Sequence, residues 1–417
     1  MTVDIMLDIN KIRENKNEVE LALLKRLDKG DFNLDMIIVL DDERRELIKT
    51  SDDLKSQRNQ VSKTKPTPEI IASMKKVGQE IKDLDEQLDK VNLELQEKLS
   101  ALPNLPADDV VAGNKENNKV IKVFGKKPEF KFQTKDHVEL ATSLGLIDYE
   151  RAVKMSGSGF WAYTGDGAVL EWALLNYFVD FHRKNKYSFL IPPYLLNEES
   201  AFASGHLPKF KDDLYWTQDG NCLNATSEMM LLNYHRNEIL KQEDLPKKYF
   251  SYSPCFRREA GSYRTEERGM VRGHQFNKVE MFVFCAPEQS AKIFDELLQN
   301  AQKLLDGLDL HFQTVLLAAQ DASSAMAKTV DAEVWLPSMN MYKEASSVSH
   351  ATDYQARRGN IRYKTEAGKN EFVHTLNGSG LATSRLLPAI LEQNQLADGS
   401  VKVPKVLQKF LGKKVIS

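Results

Sequence analysis

The residues best suited to chemistry in this 417-residue chain lie between Ser253 and Phe284. Arg257, Glu259, His274 and Glu280 fall among Phe256, Phe276, Val279, Met281 and Val283, an alternation that predicts two arms of a half-buried antiparallel hairpin. Between the arms, Gly261, Ser262, Arg264, Arg268 and Gly269 make a charged loop. A guanidinium on a rigid strand presents a planar fork that grips phosphate or carboxylate through two parallel charge-assisted hydrogen bonds. Taken alone, the same charges fit the solvated face of an ordinary hairpin.

The elements around this stretch narrow the choice. Ile70, Met74, Val77, Ile81, Leu84, Leu88, Val91 and Leu95 form the seam of a heptad helix, and Leu40, Leu47, Leu54 and Val61 recur at sevens upstream. The prolines of Lys63–Glu69 stop one helix and start the next, so the two must run antiparallel, each roughly 45–50 Å long. Such an arm reads as a spacer or dimerisation coiled coil, or as a probe for a distant part of a large partner. Arg44, Arg45, Lys49, Lys55, Arg58, Lys63 and Lys65 give it positive charge, interleaved with Asp41, Asp42, Glu43, Asp52 and Asp53. Leu7 to Leu27 reads as one amphipathic helix. Pro103, Pro106 and the Asn- and Gly-bearing stretch 112–119 mark a linker, which places domains at 1–105 and 106–417.

Beyond the linker come a strand at 120–124, helices near 136–144 and 168–184, and a glycine-punctuated, strand-like segment at 156–167. A strand at 187–196, the hairpin, a helix at 288–308 and strands at 332–337 and 342–350 follow. Asn377–Gly380 reads as a glycine turn entering a last helix. Hairpins and long excursions with helices packed on them give an α+β fold on a largely antiparallel sheet. No glycine fingerprint of a dinucleotide-binding or P-loop site is present. A net charge of -3 leaves polyanion binding to local basic surface. No apolar run approaches the roughly 20 residues that span a bilayer, and the first residues carry no signal-peptide core. Cys222, Cys255 and Cys285 lie far apart, which suits a reducing compartment and disfavours a cysteine-rich zinc site. A cytoplasmic location is expected.

The quoted segments also carry a resemblance. CFRREAGSYRTEERGMVRGHQFNKVEMF resembles motif 2 of class II aminoacyl-tRNA synthetases, in the form found in seryl-tRNA synthetases. NGSGLATSRLLPAILEQNQ is similar to motif 3, and the helix before YSFLIPPYL, with Pro192–Pro193, to motif 1. EVWLPSMNMYKEASSVSHATDYQARRGNIRY resembles the segment between motifs 2 and 3, and NATSEMM the TxE loop. The likeness runs in order through essentially the whole chain.

It implies a class II antiparallel sheet with flanking helices and an N-terminal tRNA-binding coiled-coil arm. It implies ATP-dependent activation of L-serine to seryl-adenylate and transfer to the 3′ end of tRNA-Ser, with tRNA-Sec left open, in a homodimer joined through motif 1. By resemblance, Arg257 bridges the α-phosphate and the serine carboxylate, and Arg385 holds the γ-phosphate. Arg258, Glu259, Arg268, Phe276, Glu344, Ala345, Ser346 and Ser347 complete the ATP site, Phe276 under adenine and Glu344 with Ser347 on Mg²⁺. Thr226, Ser227, Glu228, Glu280 and Ser379 form the serine site, its two glutamates sharing the ammonium and hydroxyl contacts. Arg44, Arg45, Lys49, Lys55 and Arg58 face tRNA, and the zinc-free form is implied.

Four departures stand out. Thr383–Ser384 precede Arg385 where a glycine is usual, and a hydroxymethyl at Ser384 is expected to crowd the phosphate. Ala225 replaces a proline, Ser158–Gly159 an Ala-Arg pair, and His350 an asparagine. Two rival readings remain. A ligase that loads a carrier protein would lack the arm, and a catalytically silent binding protein is favoured by Thr383–Ser384 alone.

Overall fold

The structure is a computed structural model and describes residues 7–61, 67–260 and 269–417. It separates into two compact units, Met1–Leu105 and Pro106–Ser417.

In the first unit, α1 (Ile9–Glu14) and α2 (Lys16–Leu23) stand where one helix over Leu7–Leu27 is expected. Asn15 interrupts them at φ -130°, ψ 40°. Both pieces turn Ile12, Val19 and Leu23 inward, so the apolar period continues through the break and hides it. α3 (Leu34–Val61) and α4 (Pro68–Ala101) form the long pair. The hydroxyl of Thr67 accepts from the Ile70 N–H and Pro68 opens the first turn, as helix starts require. Leu40 is buried, but Leu47, Leu54 and Val61 stay part-exposed, because two helices alone cannot enclose a seam. Ser51 is buried instead. It donates to Asp85 Oδ1 at 3.0 Å, and Lys55 Nζ reaches the same oxygen at 3.1 Å. This polar lock sets the register of the pair. The enclosed carboxylate of Asp41 is a hub that takes Arg44 Nε (3.1 Å), Arg45 Nε (2.7 Å) and Arg13 Nη1 (3.1 Å).

The second unit is built on an eight-stranded sheet. Its strands are β1 (Lys119–Phe124), β2 (Ser188–Leu190), β3 (Lys247–Phe256), β4 (Gln275–Cys285), β5 (Phe312–Leu316), β6 (Lys328–Leu336), β7 (Met341–Thr352) and β8 (His374–Ala382). The spatial order is β1-β5-β6-β7-β8-β4-β3-β2. Only the edge pair β2–β3 is parallel; the other neighbours are antiparallel. The helices that bear on the site are α5 (Gly165–Lys184), α6 (Ser227–Asn233), α7 (Ser290–Gly307), α8 (Tyr354–Arg358) and α9 (Thr383–Gln393). Phe178 of α5, Leu297 of α7 and Leu386 of α9 meet Met281 and Val348 of the sheet in the main core.

Several expectations are corrected by this topology. β4 is not half-buried: flanked by β8 and β3, it is buried at every residue from Lys278 to Cys285. Val279, Met281 and Val283 enter the main core, while Phe282 and Phe284 enter a second cluster on the opposite face. Asn377–Gly380 is not a turn but the middle of β8, with Gly378 between Met281 and Val348 and Ser379 opposite Glu280. Its glycine at 380 follows from a close approach, since a Cβ there would lie 2.3 Å from His182 Nε2 of α5. Strand 187–196 shortens to β2, because Pro192–Pro193 cannot join a ladder, and Leu195–Leu196 pairs in another sheet. In segment 156–167 the strand is only Ala162–Tyr163, and Gly165 already opens α5. At the far edge, β1 leaves Val120, Ile121 and Val123 about half exposed, with a bulge between Val120 and Lys122.

Candidate active site

A cavity of about 160 Å³ lies among β4, β7, β8 and α6, lined by Thr226, Glu228, Lys278, Asn377 and Ser379, with Arg257 and His206 at its wall. Thr226 caps α6, its Oγ1 accepting from the Glu228 N–H at 3.3 Å, which fixes Glu228 in the first turn. The Asn377 amide bridges two acids, its Nδ2 lying 3.2 Å from Glu228 Oε2 and 3.1 Å from Glu280 Oε1. Lys278 pairs with Glu280, two positions away on the same face of β4. Burial, and then the charge of Glu280, push the Glu228 carboxyl up to about 7. Two enclosed acids bridged by one amide favour a cationic ligand, which would relieve their repulsion.

Arg257 lies one residue past β3. Its Nε donates to the Ala225 carbonyl at 3.2 Å, a bond that the exchange of proline for alanine leaves available, and its guanidinium sits 5.2 Å from the Phe276 ring centre. The Arg257 N–H donates to the His274 carbonyl (2.9 Å), and His274 Nδ1 is 3.0 Å from the Arg257 carbonyl. The ring of His274 also accounts for Gly159: a Cβ there would lie 2.5 Å from it, at a backbone φ of +81°.

Across the cavity, Glu344 and Ser347 face inward together with Ser349. In a regular strand, residues three apart point to opposite faces. Here the pairing steps from Ala332–Ser346 to Glu333–Glu344, so Ala345 is the extra residue of a β-bulge that brings Glu344 round. Asp331 stands opposite Ser347. It is buried, and its Oδ1 has no hydrogen-bond partner.

Other expected site residues lie elsewhere. Glu259 does not continue a strand face from Arg257: β3 ends at Phe256, Glu259 takes a left-handed φ of 53°, and Arg272 Nε holds its carboxylate at 2.7 Å. Arg258 is exposed. Ser227 is fully buried, its Oγ 2.7 Å from Ser253 Oγ and outside the cavity lining. Ala345 and Ser346 are also buried, and Ser346 Oγ donates to the Ser379 carbonyl at 2.7 Å, bracing the strand behind the cavity. Arg385, third residue of α9, donates through Nη1 to the Val271 carbonyl. Arg268, with Gly261, Ser262 and Arg264, lies outside the described residues, as do Lys63 and Lys65 of the arm. Ser384 is buried at the start of α9, next to Arg385. His350 Nε2 is 3.2 Å from His374 Nδ1, and burial pulls His350 down to about 3.

Four residues escape the sequence reading. Asn377, Lys278 and Gln355 lie within quoted motifs, and Lys278 has a signal, the period of two that it shares with Glu280. Gln355 and Glu171 have none. Glu171 of α5 is buried, accepts from Thr383 Oγ1 (2.6 Å) and Asn277 Nδ2 (2.7 Å), and is pushed up to about 7 by burial.

This sheet and cavity define the class. Residues 210–394 match the family model described as tRNA synthetase class II core domain (G, H, P, S and T). Residues 6–106 match the seryl-tRNA synthetase N-terminal domain. The chain is 50% identical to serine–tRNA ligase 2 of Clostridium acetobutylicum over 98% of this chain and 99% of that one. It is 46% identical to the serine–tRNA ligase of Petrotoga mobilis over 99% and 100%. The seryl-tRNA synthetase of Pyrococcus horikoshii, solved in complex with ATP, superposes with a TM-score of 0.92 at 33% identity over 99% of both chains. The chain belongs to the seryl-tRNA synthetase family. Among the described residues no helix is long and apolar enough to cross a membrane.

Proposed function

We propose that the chain is a working serine–tRNA ligase and that the cavity between α6 and β8 is its serine site. The observation that carries this reading is the buried set Glu228, Asn377, Glu280 and Lys278 beside Arg257. Serine offers a carboxylate, an ammonium and a hydroxyl. Arg257 takes the carboxylate, while Glu228 and Glu280, with Thr226 and Ser379, take the other two. A site built to bond a hydroxyl rejects an analogue lacking it by roughly 10⁴–10⁵, because its buried polar groups would be left unpaired.

In the first step a serine carboxylate oxygen attacks the α-phosphorus of ATP, the bond to pyrophosphate breaks, and seryl-adenylate remains. The protein supplies position and positive charge. Arg257 spans carboxylate and α-phosphate, Phe276 lies under the adenine, and Arg385 meets the γ-phosphate on leaving the Val271 carbonyl. In the second step a terminal ribose hydroxyl of the tRNA attacks the seryl carbonyl and AMP departs.

A magnesium ion fits the facing wall. Glu344 and Ser347 would hold it, and the buried Asp331, whose Oδ1 has no hydrogen-bond partner, pairs with Ser347 across the strands. Among the described residues no group of three or more His, Cys, Asp or Glu suits a metal, so water and phosphate oxygens would fill the rest of the shell. When bound, the ion would neutralise phosphate charge.

We assign Arg44, Arg45, Lys49, Lys55 and Arg58 to the tRNA backbone. Lys49 and Arg58 are exposed and should contribute most, since Asp41 and Asp85 already engage the other three. A homodimer through α5 and β2 is supported by exposed Val169, Trp172, Phe189 and Ile191. Cytoplasmic location follows from the same reading.

Serine-dependent ATP–pyrophosphate exchange, with threonine, alanine and cysteine as controls, is the direct test. Exchange should require serine, and Arg257→Ala should lower it by at least about 10²-fold, the scale of losing one charge-stabilising donor. Unchanged exchange in Arg257→Ala would refute the site. Charging of tRNA-Ser and tRNA-Sec transcripts would show whether the second is also a substrate.

A further inference from the structure

Gln355 of α8 is 1% exposed and its amide is fully committed. Its Nε2 donates to Glu228 Oε1 at 2.6 Å and to the Ser204 carbonyl at 3.2 Å. Its Oε1 accepts from the hydroxyl of Thr375 at 2.8 Å. These partners fix the amide's orientation, because the NH₂ group faces two acceptors and the oxygen faces a donor. A flipped amide would set its oxygen against the Ser204 carbonyl and against Glu228, an arrangement open only to a protonated Glu228.

We propose that Gln355, locked by Thr375, is the positioning residue that favours the ionised form of Glu228 and aims it at the ammonium group of the amino-acid substrate. The inference rests on the serine-site reading and adds to it the device that sets the charge of one wall. Burial and the neighbouring Glu280 oppose the charged form of Glu228, and the donor from Gln355 acts against both. A donor to a carboxylate favours its charged form. The groups facing Glu228 divide by element. Glu280 on β4 opposes its ionisation, and Lys278 on β4 with Arg257 beyond β3 favour it. Asn377 of β8 donates to its other oxygen. His206, on the loop that Gln355 holds through Ser204, is kept neutral by burial and by nearby Arg257, Lys278 and Arg358. Glu344 of β7 lines the far wall. Of the two amides that donate to Glu228, Gln355 makes the shorter bond, and the hydroxyl of Thr375 fixes its direction.

The test is the pH profile of kcat/KM for serine in pyrophosphate exchange, measured from pH 5.5 to 9 in the full-length protein. Thr375→Val leaves the glutamine but frees its amide, and Gln355→Leu removes the donor. Both should move the acid limb upward by about one pH unit, which is about a tenfold loss below the limb. The change should fall on the KM for serine, with the KM for ATP and the rate at saturating serine, pH 9, held within about twofold. Thr375→Ser, which keeps the hydroxyl, should restore the native profile. Acid limbs that superimpose on the native one in both variants would overturn the proposal. So would a loss equal at every pH and shared by ATP, which would mark a merely structural role. If the native protein showed no serine-dependent exchange at all, the serine-site reading would fall and this inference with it.

Discussion

At the scale of single residues, the charges that matter most are those burial makes costly. Glu171 is the clearest case outside the cavity. One oxygen takes bonds from Thr383 and Asn277, while the other is buried without a partner. Its folded value, about 7, lies above the ordinary 4.5. A carboxyl raised in this way stabilises the fold at low pH, and that contribution is lost as the pH rises through 7. Glu228 shifts the same way. The melting temperature should therefore fall from pH 5 to pH 8, and the fall should be smaller in Glu171→Gln, as differential scanning calorimetry would show. The same residues mark what could be read from sequence. Arg257, Glu228, Glu280 and Ser379 were legible because each sits in a short segment with its own pattern. Gln355 and Glu171 were not. Their partners are 127 and 212 residues away in the chain, and no local window holds both ends of such a bond.

At the scale of elements, periodicity predicted type better than detail. It gave the long helices but hid the break at Asn15, because the inward face does not change across it. It took Asn377–Gly380 for a turn on the strength of its glycines, whereas Gly380 is required by the approach of His182. The bulge at Ala345 shows the same limit, since a strict period of two would separate Glu344 from Ser347. Deleting Ala345 should restore that period and turn Glu344 away. The expected result is a KM for ATP higher by about tenfold or more, on the scale of one lost charge-assisted contact, while serine binding by calorimetry changes little. In the arm, Asp41 is fully enclosed and its arginines are part-exposed. Asp41→Asn should then cost about 2 kcal/mol, below the usual figure for a fully buried pair, and denaturant unfolding of the protein would reveal it.

At the scale of the whole molecule, two surfaces carry the proposed assembly. Trp172→Glu, at a position 56% exposed, should shift the protein to monomer in sedimentation velocity if α5 forms the subunit contact. The affinity for tRNA should fall steeply between 50 and 200 mM salt despite the net negative charge, because each neutralised phosphate releases counterions. A flat response in filter binding would give the arm another partner. The carrier-protein ligase reading predicts no tRNA charging, and the silent-binder reading predicts no pyrophosphate exchange, so the same assays separate all three.

The outer strand β1 has a consequence of a different kind. An edge that shows Val120, Ile121 and Val123 to water is a template on which another strand can grow. Two devices guard it here: the bulge at Val120–Lys122 bends the ladder out of register, and Lys119 and Lys122 place charge along it. Whatever strips those charges, whether alkaline pH, acetylation or substitution by threonine, lowers the barrier to fibril nucleation, and thioflavin fluorescence during slow concentration would follow it. A Lys119→Thr, Lys122→Thr variant is therefore expected to cloud sooner on concentration than the native chain.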